Sequence, residues 1–401
     1  WHRNLWRGMK AVGFKTKKMD LQRPGLQPGE KIMVAMSGGV DSSVAALLLK
    51  EAGFQPVGVT LRLWVDPDAE ERASDEGRGC CSLQDISDAR RVADILEIPF
   101  YVLNMKEAFN DKVVSYFVRE YLEGRTPNPC IACNRYIKFS LLLQKARAMG
   151  IGFLATGHYA RIVYDSEKDV YRLFRGLDSN KDQSYMLYTM NQEQLSSVLF
   201  PLGGYTKEEA RELAGERGLQ VAEKRDSQEI CFIPDNDYRS FLEREQAGFS
   251  PGDILSTSGK KLGRHRGLPF YTIGQRKGLG LVSPRPLYVV EIDRRNNVLI
   301  VGEEEETYSQ GLEAEDLSFV SGRAPLEPQE VMIKIRYRSP LVPATLYPPK
   351  TSPQKGEGGL TAASRVRVVF DRKQKAVTPG QSVVFYRGDE VLGGGIIASR
   401  L

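Results

Sequence analysis

The chain has 401 residues, of which 41% are hydrophobic and 27% charged, and its formal net charge is +5. This length predicts two or three domains, and no apolar run is long enough to predict a membrane span. The small basic excess permits a nucleic-acid partner without requiring one. The cysteines are few and odd in number, which favours a reducing, cytoplasmic compartment over a disulfide scaffold; they are Cys80, Cys81, Cys130, Cys133 and Cys231.

Residues 1–28 are rich in Lys and Arg and almost free of acidic side chains. A transit peptide has this composition, but the segment lacks a long apolar core. We therefore interpret it as an N-terminal extension that need not be ordered.

Strands alternate with helices between residues 29 and 234. Apolar runs predict strands at 31–36, 56–61, 99–103 and 151–156, and helical patterns cover 44–50 and 85–96. This alternation predicts an α/β domain built on a doubly wound parallel sheet.

From about Asp235 the pattern changes to short strands separated by Gly and Pro. We expect a small central α+β or β domain at 235–302 and a C-terminal β-barrel at 303–401. Residues 331–338 alternate as a strand, with Lys334, Arg336 and Arg338 on one face. A Gly-Asp pair at 388–389 predicts a hairpin turn, and the polar insert at 348–364 predicts a surface loop.

The stretch "MSGGVDSS", residues 36–43, joins the first predicted strand to the first helix. Its glycines leave consecutive backbone N–H groups free to bind an anion at the helix N-terminus, and Ser37, Ser42 and Ser43 add hydroxyl donors. The common phosphate loop would supply a lysine, whereas Asp41 suits a magnesium ion or a substrate contact. The strand–loop–helix context favours a phosphate site over a simple turn.

The stretch "GRTPNPCIACN", residues 124–134, presents two cysteines. Pro127 and Pro129 stiffen the chain and bias it away from a helix, so we expect a rigid loop that carries Cys130 and Cys133. In "KRDSQEICFIP", residues 224–234, Cys231 lies close in sequence to Lys224 and Arg225, which could favour its thiolate.

Three interpretations of the cysteines remain open on the residues alone. Thiolates from two loops could perform nucleophilic sulfur chemistry. Alternatively, Cys130, Cys133 and Cys231 could hold an iron–sulfur cluster with one open iron, or a zinc ion with Cys80 or Cys81 as fourth ligand. The third interpretation is packing as small hydrophobes, which we favour for Cys80 and Cys81.

The chain resembles the bacterial-type tRNA-specific 2-thiouridylases. The matching segments run in order from about residue 31 to the C-terminus; among them are "AMSGGVDSSV", "GRTPNPCIACN", "IKF", "ATGHYAR", "RGLDSNKDQSY", "DSQEICFIP", "GQRKGLG", "IRYRS", "AVTPGQSVVFY" and "LGGGII". The S-G-G-x-D-S loop is the signature of the PP-loop ATP pyrophosphatases, so the resemblance implies an adenine-nucleotide alpha-hydrolase-like fold and cleavage of ATP between its α- and β-phosphates.

The resemblance implies that the enzyme replaces O2 of the wobble uridine by sulfur in tRNAs for Lys, Glu and Gln. ATP and Mg²⁺ are the implied cofactors. The implied partners are tRNA, in part through the central domain, and an upstream sulfur donor, either a cysteine desulfurase or a sulfur relay protein. A PP-loop amide-forming ligase and a tRNA-binding or cluster-carrying protein with a vestigial loop are the alternatives.

The resemblance also implies residue roles. Cys133 is the nucleophile and Cys231 carries the persulfide, with a transient disulfide between them, while Asp41 assists. ATP would contact Ala35, Met36, Ser37, Gly38, Gly39, Val40, Asp41, Ser42, Leu61 and Gly157. The tRNA would contact Asn128, Pro129, Cys130, Lys181, Asp182, Gln183, Arg336 and Tyr337. Many family members carry aspartate where this chain has Cys130, and the additional thiol keeps the iron–sulfur alternative open.

Overall fold

The structure is a computed structural model that describes Met19, Leu21 and residues 23–64, 83–224, 230–233, 237–246, 248–349 and 365–401. Cys80, Cys81, most of the N-terminal extension and most of the predicted loop at 348–364 lie outside the described residues. Among those described, no helix is long and apolar enough to cross a membrane.

The strands of the described residues, in chain order, are β1 (Lys31–Ala35), β2 (Gln55–Arg62), β3 (Phe100–Asn104), β4 (Phe153–Thr156), β5 (Ala160–Asp165), β6 (Val170–Arg175), β7 (Val198–Leu199), β8 (Gly252–Ser256), β9 (Lys261–His265), β10 (Tyr288–Asp293), β11 (Val298–Gly302), β12 (Tyr308–Phe319), β13 (Gln329–Lys334), β14 (Val342–Tyr347), β15 (Val366–Lys375), β16 (Ser382–Arg387) and β17 (Glu390–Arg400). The α-helices are α1 (Val40–Glu51), α2 (Leu83–Ile95), α3 (Lys106–Phe109), α4 (Ser115–Leu122), α5 (Pro129–Ala132), α6 (Leu143–Ala148), α7 (Gln192–Ser197), α8 (Lys207–Glu216) and α9 (Tyr238–Glu245). Two π-helices, Asn110–Val114 and Cys133–Leu142, continue α3 and α5.

A five-stranded sheet in the order β3-β2-β1-β4-β7 forms the first part of the fold, and all its pairings are parallel. Alternate residues of β1 face opposite layers. Ile32 and Val34 pack against α1, α2 and α8, whereas Met33 packs in the cluster that includes residues 109–146. Because both faces are covered, β1 is a nearly continuous apolar run. The predicted doubly wound α/β sheet is confirmed.

Six strands close the C-terminal barrel: β12, β15, β14, β13, β16 and β17, which returns to β12. The predicted barrel is therefore confirmed, as is the hairpin at 388–389, where Arg387 pairs with Glu390. Before the barrel, residues 237–302 form α9 and a four-stranded sheet in the order β10-β11-β8-β9.

The prediction of one strand through residue 338 is wrong. The strand β13 ends at Lys334, and the next residues turn, because the Ser339 N–H donates to the Arg336 carbonyl at 3.1 Å and a proline follows. Lys334 is buried, 9% exposed, whereas Arg336 and Arg338 are exposed. These three cations therefore do not share one face of a strand.

The barrel joins the α/β part through main chain and ion pairs. The strand β17 pairs with β6 at Glu390 and Val391, and the Arg172 guanidinium donates to both carboxylate oxygens of Glu390 at 2.8 and 2.6 Å. Arg125 pairs with Glu315 on β12 at 2.8 Å. The two parts are thereby held in one arrangement around the region described next.

The described end of the predicted extension packs against the same body. Arg23 is 8% exposed, lies over the Tyr171 ring at 5.6 Å and donates to the Leu195 carbonyl. Leu26 is buried in the cluster around α1. Residues that the sequence pattern assigned to the extension thus pack against the fold before β1.

Candidate active site

The glycine loop lies where β1 ends and α1 begins. Gly38 has φ of +72°, and a Cβ there would lie 2.3 Å from the Asp85 carbonyl oxygen, so only glycine fits. Gly39 is the extended N-cap of α1. The first N–H groups of a helix have no intrahelical partner, so this loop can bind an anion through its backbone.

Two of the predicted hydroxyl donors have a different role. Ser42 and Ser43 are buried, and their hydroxyls donate to the Gly39 carbonyl at 3.2 and 2.8 Å. The Ser42 oxygen also accepts from the Ser37 N–H at 3.1 Å. These serines therefore brace the loop from inside, and Ser37 is the hydroxyl that stays exposed.

The turn after β4, residues 157–159, packs directly on the loop. A Cβ on Gly157 would lie 2.7 Å from both the Asp41 carbonyl carbon and the Ser42 nitrogen. Open α/β sheets bind ligands at such a site, where the strand order reverses between β1 and β4. Met36 and Leu61, also predicted to contact ATP, are 2% and 8% exposed and lie in the core beside this edge.

Asp41 does not stand alone. The Lys207 ammonium lies 2.7 and 2.8 Å from its two carboxylate oxygens, and the Tyr159 hydroxyl donates to it at 2.8 Å. Lys207 is the first residue of α8 and is 5% exposed. A lysine from a distant helix therefore lies beside the loop, with its ammonium bound to Asp41. Sequence reasoning missed it, although the capping box of Thr206 and Glu209 marks the start of that helix.

Cys130 and Cys133 lie at the start of a continuous helical segment, residues 129–148, which we call the cysteine helix. The Asn128 side chain caps it by accepting from the Cys130 and Ile131 N–H groups at 3.2 and 3.4 Å. Proline fits the first helical position because its missing N–H is not needed there. Cys130 is exposed, whereas Cys133 is 7% exposed and begins the π-helix. The expectation of a non-helical loop thus holds only up to Asn128.

Cys231 is half-buried, and the residue after it anchors the segment. The Phe232 ring packs against Phe109 and Phe117 at centroid distances of 5.7 and 5.3 Å. Those residues belong to the helical layer that also packs against the cysteine helix. The structure therefore brings Cys231 to the hydrophobic cluster that contains Cys133.

Lys224, one of the two basic neighbours expected to favour the Cys231 thiolate, is bound elsewhere. The Lys224 ammonium donates to Asp85 and Asp88 on α2 at 2.7 and 2.6 Å. It is held there by two carboxylates, and Arg225 lies outside the described residues.

Among the residues described, no three His, Cys, Asp or Glu side chains are grouped so as to hold a metal ion. Cys130, Cys133 and Cys231 are free thiols that do not converge on one point as cluster ligands. The residues present therefore do not fit an iron–sulfur cluster in this structure.

The barrel holds the segment that leads into the cysteine helix. The Thr126 N–H donates to the Pro379 carbonyl at 2.9 Å, and the Gln381 amide donates to the Thr126 carbonyl at 2.9 Å. Gly380, between them, has φ of +91°, and a Cβ there would lie 2.7 Å from the Thr126 nitrogen. A turn some 250 residues away thus sets the position of the cysteines.

The residues predicted to contact tRNA divide by accessibility. The Asp182 side chain is 1% exposed, and its oxygens accept from Arg175 and from the Gly176 and Ser184 N–H groups. Gln183 accepts from the Tyr159 N–H at 3.1 Å. These two side chains brace the turn, and their contact with tRNA stays a prediction. Lys181 is half-buried and belongs to the same turn, where its N–H donates to the Asp178 carbonyl.

Tyr337 and Arg336 place the barrel beside the cysteine helix. The Tyr337 ring lies 6.1 Å from that of Tyr185; burial raises the pKa of Tyr337, and the nearby Asp182 and Cys130 add to the rise. The Arg336 guanidinium donates to the Lys375 and Ala376 carbonyls at 2.6 and 2.7 Å. A depression of 330 Å³ lined by Arg336, Arg338 and Lys375 lies at this position. The Lys375 ammonium is bound to Glu304 at 2.7 Å, so Arg336 and Arg338 are the cations here that suit phosphate contacts with a nucleic acid.

The fold and the site together define a PP-loop α/β protein with two cysteine-bearing segments and a C-terminal barrel. Family models match three consecutive parts of the chain: a "tRNA methyl transferase HUP domain" at residues 30–235, a "tRNA methyl transferase PRC-barrel domain" at 239–303 and an "Aminomethyltransferase beta-barrel domain" at 309–397.

Similar proteins carry the name tRNA-specific 2-thiouridylase. One from Moorella thermoacetica is 54% identical over 370 residues, which are 92% of this chain and 99% of that protein. Another from Carboxydothermus hydrogenoformans is 52% identical over 373 residues, 93% of this chain and 98% of that protein. The chain belongs to the tRNA-specific 2-thiouridylase family of sulfurtransferase enzymes.

A solved structure of a 4-thiouridine synthetase–RNA complex with bound ATP matches with a TM-score of 0.33 and 19% identity over 54% of this chain and 50% of that one. A likeness this weak carries no argument about the site.

We expect Gly380→Ala to displace the segment that leads into the cysteine helix. The added Cβ meets the Thr126 main chain, and the positive φ adds strain of about 1–3 kcal/mol. Alkylation of Cys133, followed by peptide mass spectrometry, should become about tenfold faster, because the segment around the buried thiol opens more often.

Gly388→Ala is the matched control, because Gly388 has φ of +58° but open space around it. It should carry the strain without moving the cysteines. Equal alkylation rates in the two variants would show that the barrel turn does not position this segment.

Proposed function

We propose that this protein uses ATP to replace O2 of the wobble uridine, U34, by sulfur in tRNAs for Lys, Glu and Gln. One juxtaposition carries the proposal. The turn at 157–159 packs on the glycine loop through Gly157 and, through His158, on Phe139 of the cysteine helix, with ring centroids 5.8 Å apart. The loop that can bind a phosphate and the helix that carries two of the thiols therefore share one wall, the turn at 157–159.

In the first step the uridine O2 attacks the α-phosphorus of ATP. The O2–P bond forms, the bond between the α- and β-phosphates breaks, and pyrophosphate leaves. The backbone of the glycine loop fits an anion of this kind, and pyrophosphate can leave whole because no lysine of the loop holds the β- and γ-phosphates. Mg²⁺ bound with ATP would neutralise the leaving pyrophosphate, and Asp41 is the carboxylate that the loop offers for it.

In the second step the terminal sulfur of a Cys231 persulfide attacks C2. The C2–S bond forms, the C2–O2 bond breaks, and AMP leaves with O2. The Cys133 thiolate then attacks the Cys231 Sγ, which releases 2-thiouridine and leaves a Cys133–Cys231 disulfide. The transferred sulfur gains the two electrons that the two cysteines lose, and a thiol reductant resets the enzyme.

The substrate base must leave the anticodon stack to reach this wall. The exposed cations of the barrel, Arg336 and Arg338, and the loop at Lys181 would hold phosphates and orient the tRNA without reading its sequence. The sulfur on Cys231 requires an upstream donor, a cysteine desulfurase or a sulfur relay protein.

Two other chemistries are less well supported. Methyl transfer, which the family-model descriptions name, and amide formation by a PP-loop ligase give no role to two separate thiols. The meeting of the two cysteine-bearing segments in one hydrophobic cluster favours sulfur transfer over both.

The decisive experiment expresses the chain in a strain that lacks 2-thiouridine and analyses the nucleosides of its purified tRNA by mass spectrometry. Restored 2-thiouridine at position 34 supports the proposal, whereas tRNA without it, from cells that contain the folded protein, would falsify the proposal. Sequencing of the individual tRNAs tests the Lys, Glu and Gln set.

The cysteine variants test the persulfide mechanism. We expect Cys133→Ser and Cys231→Ser to abolish 2-thiouridine formation while release of pyrophosphate from ATP and tRNA continues, because adenylation needs neither thiol. Thiolation that survives in either variant would support a ligase-like reaction instead.

Cys130→Asp separates the two sulfur mechanisms. Aspartate stands here in many members that the chain resembles, and a persulfide mechanism does not use this thiol. We therefore expect the variant to retain thiolation within a few-fold of the parent, measured as 2-thiouridine per tRNA. A complete loss, together with loss of a visible absorption band after anaerobic purification, would favour a cluster.

Lys207→Met should slow pyrophosphate release by about 100-fold, the usual cost of removing one preorganised charge from a developing anion. The structural reason is the loss of the cation held against Asp41 beside the loop. Lys207→Arg retains the charge and should recover part of the rate; circular dichroism verifies that both variants fold. An unchanged rate in the methionine variant would show that the Lys207–Asp41 pair has only a structural role.

A further inference from the structure

Lys138 is a half-buried lysine of the cysteine helix. Within the part of the chain that the structure describes, no carboxylate forms an ion pair with it. Two other lysines with little exposure, Lys207 and Lys224 near the glycine loop, are both held by carboxylates. A cation kept partly out of water without a counter-ion suits a site that receives an anion from solution.

The π-helix determines where Lys138 points. In a π-helix the residue five positions on stacks over the first, since the hydrogen bonds run from i to i+5. Cys133 and Lys138 are five residues apart within Cys133–Leu142, so they share a face. In an α-helix this spacing would turn Lys138 away from the cysteine.

The same lysine lies beside the nucleotide side of the wall. Its neighbour Phe139 packs on the His158 ring, and His158 Nδ1 lies 2.6 Å from the Thr156 hydroxyl. Burial holds the pKa of His158 well below its ordinary value, and the charge of Lys138 lowers it further. His158 is therefore neutral at pH 7, and Lys138 is the cation that this turn meets.

Lys138 also reaches the cysteine side. Although part of Cys130 is exposed, desolvation of its thiol raises the pKa, and the Lys138 charge offsets part of that rise. The charge of Lys138 thus acts both on the turn at 157–159 and on the first turn of the cysteine helix.

We propose that Lys138 is a catalytic residue that binds the α-phosphate of the adenylated uridine and stabilises AMP as the C2–O2 bond breaks. This inference rests on the proposed function. In that intermediate O2 bridges C2 of the base, which faces the thiols, and the phosphorus, which faces the nucleotide loop. The phosphate that carries the developing charge must therefore lie between the two sides, where Lys138 lies.

The chemistry favours this step over activation of a thiol. When C2–O2 breaks, the electron pair of that bond passes to an oxygen that already belongs to a phosphate, so negative charge grows in a partly desolvated place. A fixed cation stabilises such charge more than it does in water. The adenylation step already disperses its charge over the departing pyrophosphate, which the glycine loop can bind.

The test is a single-turnover reaction of Lys138→Met with tRNA and ATP, after Cys231 has been charged with sodium polysulfide. We expect pyrophosphate release to continue, adenylated tRNA to accumulate in the mass spectrum, and 2-thiouridine formation to fall by about 100-fold. Lys138→Arg should restore part of the second step, and Lys138→Gln provides a second neutral variant if the methionine variant does not fold.

Lys145→Met is the matched control, since Lys145 lies on the same helical segment but is exposed. It should thiolate like the parent. The alkylation rate of Cys133 is measured in all variants. If Lys138 only activated the thiol, its removal would lower the alkylation rate in proportion to the loss of thiolation. The inference is overturned by that proportional loss, by a variant that forms no adenylate, or by normal thiolation in Lys138→Met. If the parent enzyme itself forms no 2-thiouridine, the proposed function fails and not this assignment alone.

Discussion

The backbone contact between Gly157 and the start of α1 is the constraint on which the site depends. A Cβ at this position would meet two main-chain atoms at 2.7 Å, and main chain cannot rotate away as a side chain can. The contact holds the end of β4 against the end of β1. It also places the next two residues, because His158 reaches the cysteine helix while the Tyr159 hydroxyl reaches Asp41. One glycine therefore joins the phosphate loop to the thiols.

The barrel positions the segment that leads into the cysteine helix, in addition to presenting exposed cations. The ion pairs between the barrel and the α/β part are partly open to water, which limits what each contributes. The bonds at Thr126 are different, since they engage main-chain groups that have few other partners in a segment ending at two prolines. The cysteine helix thus begins where the barrel turn puts it. The position of Cys133 is thereby coupled to the domain that carries Arg336 and Arg338.

Local signals in the sequence predicted the elements well. The apolar run of β1, the hairpin at 388–389 and the glycine loop each depend on residues near one another in the chain. The missed features depend on distant residues. Lys207 and Asp41 are 166 positions apart, and a capping box shows where a helix starts but not what its first side chain meets.

The remaining errors have the same origin. The alternation in the sequence continues through Arg338, yet Ser339 and the following proline turn the chain after Lys334. Proximity of Lys224 to Cys231 in sequence suggested activation, but two carboxylates of α2 bind that lysine. A spacing rule assumes the helix type, so neither the π-helix nor the shared face of Cys133 and Lys138 could be predicted from the sequence.

The charges of the site also suggest an order of events. Before a nucleotide binds, Lys207 is neutralised by Asp41, and the pair is largely shielded from water, with side chains 6% and 32% exposed. A triphosphate must compete with that carboxylate, so the pair favours ligands that bring more negative charge or a divalent ion. Lys138 has no such competitor among the described residues. In the proposed reaction, negative charge develops between the glycine loop and the cysteine helix, where Lys138 can stabilise it. Lys138 therefore favours the adenylated intermediate over free ATP at that position. In the proposed reaction, the paired cation thus suits the step in which pyrophosphate leaves, and Lys138 suits the step in which AMP leaves.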